Sequence, residues 1–134
     1  MWPLLICGVL LFLAVLKWDL WSDKEKYLEG NYFFNHTEDG LLRLMLLIPS
    51  MVCFGLFQSL TVVIVTPFMV CFLYWFWFDG LYNHTVLKKW FFGTYGTTSK
   101  LDRFLRNLTW VGAFVLKITL ILISTSLYLK NVKL

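Results

Sequence analysis

Residues 44–78 read LMLLIPSMVCFGLFQSLTVVIVTPFMVCFLYWFWF and contain no Asp, Glu, Lys or Arg. The stretch is 35 residues long, whereas one helix needs about 20 apolar residues to cross the hydrocarbon core of a bilayer. It is therefore too long for one span and long enough for two short ones. Gly55 and the polar side chain of Gln58 lie near its middle. We expect a helical hairpin that turns between Gly55 and Ser59.

The alternative is a single kinked span followed by a buried tail. Pro49 and Pro67 lie within the apolar stretch, and proline is tolerated in membrane helices, where it can kink them. The sequence leaves open whether this stretch crosses the membrane once or twice.

The composition indicates an integral membrane protein. Of the 134 residues, 59% are hydrophobic and 15% are charged, whereas soluble domains carry about 25% charged residues. So few charges cannot cover the surface of a globule in water. We predict an all-α fold that forms a single membrane domain over residues 1–134, a helical bundle with lipid as its solvent.

The predicted bundle has about four transmembrane helices, with the central helical hairpin and a short interfacial helix before the last span. The first span is expected to be retained rather than cleaved as a signal peptide, because no basic residue precedes its apolar run. The predicted spans cover residues 2–21, 41–57, 60–78 and 109–129, and the polar segments cover residues 22–40 and 79–108.

Two local patterns mark the predicted borders of the polar segments. Ser22-Asp23-Lys24-Glu25 has the form of a capping box, which predicts a new helix that starts there. Asp79-Gly80 follows an aromatic run typical of the membrane interface. We therefore expect the third span to end at Asp79.

The second polar segment contains the predicted interfacial helix. Leu101, Phe104, Leu105 and Leu108 are spaced as one apolar helical face after Ser99, a candidate N-cap. We expect cations and an aromatic ring of this segment to contact lipid headgroups: Lys88, Lys89, Trp90, Lys100, Arg103 and Arg106. The net charge of +4 thus indicates a lipid partner and not nucleic acid.

The distribution of Lys and Arg predicts the orientation. With four spans, the two polar segments and their borders hold nine Lys and Arg residues on one side, and the other side holds Lys130 and Lys133. Positively charged loops face the cytoplasm. Both termini are therefore expected on the non-cytoplasmic side.

Lys117 is the unusual residue of the last span. A central Lys costs about 2.5–3.5 kcal/mol on insertion scales, and apart from Asp19 near the end of the first span, the predicted spans carry no acidic residue. We expect Lys117 to contact backbone carbonyls, water or an acid of another subunit. The alternatives are snorkelling to the interface and a transport role. The small residues Gly112 and Ala113 are candidates for close helix contact.

Candidates for chemistry are few. His36, Asp79 and His84 form a weak candidate cluster for a metal, and the alternative is that both histidines are polar turn residues. Three cysteines lack metal-type spacing and are expected to be small buried apolar residues. We expect no cofactor, no metal and no catalytic residue.

Three segments resemble a known group of proteins. Residues 77–83, 89–94 and 97–103 read WFDGLYN, KWFFGT and TTSKLDR. They are similar to uncharacterised small multi-span membrane proteins of Bacteroidota bacteria and their phages. The resemblance covers about 30 of the 134 residues. The resemblance implies a location in a bacterial inner membrane or a phage virion membrane. It implies no mechanism, because that group has no established activity.

The function expected from the sequence is a non-enzymatic structural or assembly subunit of a larger membrane complex, with other membrane subunits as partners. One alternative is a permeabilising protein of the holin or channel type. A further alternative is a membrane-surface metalloenzyme that uses the histidine–carboxylate cluster.

Overall fold

A computed structural model describes residues 2–28, 36–88, 104, 107–108 and 110–132. For residues 26, 27, 36–40, 86, 87 and 110 it describes the backbone alone. The regular elements of these parts are all helical, which confirms the all-α part of the predicted fold class. The predicted interfacial helix falls almost wholly outside the described residues.

Four helices make up the described fold. Their bounds are α1, Trp2–Leu28; α2, His36–Gly55; α3, Leu60–Leu87; and α4, Trp110–Asn131. Each helix runs antiparallel to the next one along the chain, because the first residues of one helix lie beside the last residues of the other. For example, Gly8 of α1 contacts Cys53 near the end of α2.

The bundle has two ends that differ in character. The hairpin end holds Trp2, the turn between Gly55 and Leu60, and Asn131. The charged end holds the other ends of the helices, Leu28, His36, Leu87 and Trp110. The helix ends that border both predicted polar segments thus lie together.

The turn of the central hairpin lies where the sequence predicts it. The amide of Leu56 donates to the carbonyl of Val52 at 2.8 Å, and the amide of Gln58 donates to that of Gly55 at 3.2 Å. Ser59 caps α3, since its side chain accepts from the amide of Val62 at 3.4 Å. The chain reverses here instead of continuing as one kinked helix.

Two helices extend beyond the borders predicted from local patterns. α1 continues without a break through Ser22-Asp23-Lys24-Glu25, so the capping box does not start a helix. α3 continues past Asp79-Gly80 to Leu87. In both cases the packing of a long helix against its neighbours outweighs a weak local signal, and glycine is common inside membrane helices.

Three helices are long and apolar enough to cross a membrane: Trp2–Glu25, Leu60–Thr85 and Val111–Asn131. The apolar part of α2 is shorter and covers Leu41–Gly55. These lengths support a membrane protein with three candidate spans and one short apolar helix.

The buried core is built around α3, which packs against each of the other three helices. The core cluster contains residues of all four helices, for example Leu16, Leu47, Val70 and Tyr128. The hydroxyl of Tyr128 also donates to the backbone carbonyl of Phe54 at 3.0 Å, which fastens α4 to the end of α2.

A prediction concerns Phe57, which has a φ of 62° in the hairpin turn. This left-handed conformation favours glycine, by about 1–2 kcal/mol over a residue with a Cβ atom. We therefore expect Phe57→Gly to be more stable than Phe57→Ala by about 1 kcal/mol. The measurement is reversible unfolding in mixed micelles as SDS is added.

The comparison with Phe57→Ala matters because the Phe57 ring is exposed. Both variants remove the ring, and only the glycine variant relieves the backbone. Equal stability of the two variants would contradict the left-handed conformation at this position.

Candidate functional site

The first charged site joins α1 to α2 near the charged end of the bundle. Asp19 and Asp23 lie four residues apart and so share one face of α1. The guanidinium of Arg43 reaches both: its Nε lies 2.8 Å from Oδ2 of Asp19, and its Nη2 donates to Oδ2 of Asp23 at 2.5 Å. One planar cation thus bridges two buried carboxylates.

The Arg43 guanidinium also lies over an aromatic ring of α3. Its central carbon is 4.5 Å from the centre of the Phe78 ring. Phe78 itself stacks between Tyr74 and Tyr82, with ring centres 5.6 and 5.7 Å apart. Cation–π attraction is strongest where water is excluded. The contact therefore ties α3 to the α1–α2 site.

The second charged site joins α3 to α4. The side chain of Lys117 is fully buried and forms an ion pair with Asp79. Its Nζ also lies 4.5 Å from the centre of the Trp75 ring. Trp75 and Asp79 are one helical turn apart, so both face α4.

This ion pair corrects the expectation that Lys117 has no acidic partner within the chain. The partner was missed because Asp79 was predicted to end the third span. Since α3 continues to Leu87, Asp79 is held inside the helix and beside α4. An acid from another subunit is not needed to neutralise Lys117.

The small residues of α4 lie in the same region. Ala113 is buried one turn before Lys117, and Gly112 is half-buried. The neighbouring ring of Phe114 lies 5.8 Å from that of Phe76 on α3. Small residues allow α4 to approach α3 closely enough for the lysine to reach Asp79.

Both charged sites lie at a similar height in the bundle. At about 1.5 Å per residue, Asp19 is about 25 Å from the start of α1 at Trp2. Asp79 is about 28 Å from the start of α3 at Leu60. Since the hydrocarbon core is about 30 Å thick, a bilayer that begins at the hairpin end would place both sites near its opposite boundary.

The two sites differ in their charge balance. Lys117 and Asp79 neutralise each other, whereas Arg43 faces both Asp19 and Asp23. With both carboxylates ionised, these three side chains carry a net charge of −1. Removal of one carboxylate from this site would leave a neutral pair.

The structure describes the side chains of two members of the weak candidate metal cluster, Asp79 and His84. Asp79 faces Lys117, while His84 is five residues further along α3 and is exposed. The side chain of His36 lies outside the described residues. No group of three or more His, Cys, Asp or Glu within the described ranges is arranged to hold a metal ion.

Of the predicted headgroup contacts, the structure describes Lys88. It is exposed and caps the end of α3 with a left-handed φ of 58°. The other five lie outside the described residues: Lys89, Trp90, Lys100, Arg103 and Arg106.

Five residues of the charged sites were not predicted from the sequence as parts of a site: Asp19, Asp23, Arg43, Trp75 and Phe78. One signal was available, because two acids four residues apart share a helix face. The pairing with Arg43 was hidden because Asp23 was assigned to a polar segment and Arg43 to the edge of a span.

Comparison with models of protein families, with curated proteins and with solved structures gives no match.

One prediction separates the roles of the cation and the carboxylates at the first site. Arg43→Gln leaves two carboxylates without their cation and is expected to cost about 3–5 kcal/mol. Asp19→Asn leaves a neutral pair and is expected to cost about 1 kcal/mol. The measurement is the free energy of unfolding in mixed micelles. A greater loss for Asp19→Asn than for Arg43→Gln would contradict the bridged arrangement.

A second prediction concerns the Lys117–Asp79 pair. Lys117→Met and Asp79→Asn each leave one buried charge and are expected to cost about 3–5 kcal/mol. The double variant removes both charges, so its loss should be smaller than the sum of the single losses. The measurement is a double-mutant cycle of unfolding free energies. Additive losses would show that the two side chains do not interact.

Proposed function

We propose that the chain is a non-enzymatic integral membrane protein whose four helices cross the bilayer, and that it acts as a structural subunit of a larger membrane assembly. The internal pairing of the buried charges supports the non-enzymatic bundle, and the short apolar segment of α2, Leu41–Gly55, is the observation that carries the assembly. Arg43 fastens α1 to α2, and Lys117 fastens α3 to α4. The polar groups at these positions hold helices together and leave the outer surface apolar.

The outer surface is large in relation to the core. In the most apolar windows of the three long helices, 17%, 33% and 22% of the residues are buried. Large apolar side chains such as Leu10, Phe68 and Leu122 point outward from α1, α3 and α4. Such a surface suits lipid and also suits contact with other membrane subunits.

The short helix α2 supports contact with another subunit. Its apolar segment Leu41–Gly55 is about 22 Å long at 1.5 Å per residue, less than the thickness of the hydrocarbon core. A short segment is accommodated by bilayer thinning or by oligomerisation. The outward stripe available for that contact consists of Leu41, Met45, Ile48 and Val52.

The proposed orientation places the charged end in the cytoplasm. Lys17, Lys24 and Lys88 are exposed towards that end, while Lys130 is exposed near the hairpin end. This distribution supports termini on the non-cytoplasmic side. A bacterial inner membrane or a phage virion membrane is the proposed location, on the basis of the sequence resemblance.

The test is the size of the complex in mild detergent, measured by native mass spectrometry on protein from the membranes of cells that make it. We expect a complex larger than one protomer. Ile48→Trp adds bulk to the outer stripe of α2 and should dissociate it. The matched control Leu10→Trp adds the same bulk to the outer face of α1 and should leave it intact.

A monomer as the form of the unmodified protein would contradict the assembly. If the complex of Ile48→Trp has the same number of protomers as that of the unmodified protein, the α2 contact is contradicted.

A holin-type function makes a different prediction, collapse of the membrane potential upon expression. We expect a potential-sensitive dye to report no change, because the charged side chains of both sites are closed within ion pairs.

A further inference from the structure

α1 and α2 approach each other closely near the hairpin end. A Cβ atom on Gly8 would lie 3.2 Å from the Cβ atom of Cys53 and 3.3 Å from the ring of Phe54. The hydroxyl of the buried Ser50 donates to the carbonyl oxygen of Gly8 at 2.9 Å. Glycine and this hydrogen bond thus hold the two helices in a fixed crossing.

Two cysteines lie beside this crossing. Cys7 precedes Gly8 on α1, and Cys53 on α2 packs against Gly8, which brings the two thiols near enough to interact. Both are free thiols; Cys7 is exposed and Cys53 is half-buried. This corrects the expectation that the cysteines are buried apolar residues. Cys71, on α3, is also half-buried.

The pair lies close to the membrane boundary in the proposed topology. Cys53 is two residues from the end of α2, and Cys7 is about 8 Å along α1 from Trp2. The polar side chains of Gln58 and Ser59 lie in the adjoining turn. An oxidant can therefore reach the thiols from the hairpin end.

We propose that Cys7 and Cys53 are a redox-active pair that closes into a disulfide bond between α1 and α2. The oxidant is a compound with a disulfide bond, which is reduced to two thiols in the reaction. The thiolate of the exposed Cys7 attacks one oxidant sulfur, which forms a mixed disulfide and releases one oxidant thiolate. The thiolate of Cys53 then attacks the Cys7 sulfur and releases the second.

The step balances in atoms and electrons. Two protein thiols lose two electrons and two protons, and the oxidant disulfide becomes two thiols. The bond closes the chain segment that contains Asp19, Asp23 and Arg43. It thus joins α1 to α2 at the hairpin end, while the Arg43 site joins them near the charged end.

The experiment uses the full chain with Cys71→Ser, purified in mild detergent and reduced, so that Cys7 and Cys53 are its thiols. Equimolar dithiodipyridine is the oxidant, because each pyridinethione that it releases is counted by absorbance. We expect two pyridinethiones per chain, no pyridyl group on the protein and an intact mass lower by two hydrogen atoms. The product should be a monomer on a non-reducing gel.

Retained pyridyl adducts or a disulfide-linked dimer would overturn the proposal. The matched control is Cys53→Ser, which keeps two thiols, Cys7 and Cys71, on helices α1 and α3. It should retain pyridyl adducts. Closure of this control pair as readily as Cys7–Cys53 would also overturn the proposal, since the bond would then not depend on the observed crossing.

A further variant tests the geometry without removing a thiol. Gly8→Leu in the Cys71→Ser chain places a side chain against Cys53 and Phe54 and should separate the two helices. We expect its rate of closure to fall at least tenfold. An unchanged rate would show that the fixed crossing does not bring the thiols together.

Discussion

A charged side chain buried between apolar helices needs a counter-charge within reach, and this requirement shapes the bundle. Lys117 meets it through Asp79 on the neighbouring helix, and Arg43 meets it through two carboxylates of α1. An unpaired central lysine costs about 2.5–3.5 kcal/mol on insertion scales. An ion pair offsets that cost only when the two neighbouring helices are aligned so that the opposite charges meet. Each ion pair therefore also fixes the alignment of two helices along their axes.

Each of the two ion-paired sites joins a different pair of helices. Arg43 sets the register of α1 against α2, and Lys117 sets that of α3 against α4. The ring of Phe78 then joins the pairs, because the Arg43 guanidinium lies over it. Apolar packing alone discriminates poorly between registers in lipid, since lipid chains are as apolar as leucine. The charges supply the missing specificity.

Much of the fold follows from the sequence because it depends on apolar length and turn chemistry. The run from Leu44 to Phe78 is too long for one span, and the chain turns between Gly55 and Ser59 as expected. The charged sites were harder to predict because they depend on where helices end. Asp79 and Asp23 resemble the first residues of loops, and only the continuation of α3 and α1 places them inside the bundle. The contact of Cys7 with Cys53 joins distant parts of the chain and has no local signal.

The most direct test of this account is the distance between Lys117 and Asp79 in a lipid bilayer. Solid-state NMR can measure the dipolar coupling between ¹⁵N at the Lys117 side chain and ¹³C at the Asp79 carboxyl, with Asp79→Asn and Lys117→Met chains to assign the signals. The account predicts a strong coupling, equivalent to about 4 Å or less, as in a direct ion pair. A coupling too weak to detect in the folded protein would contradict it.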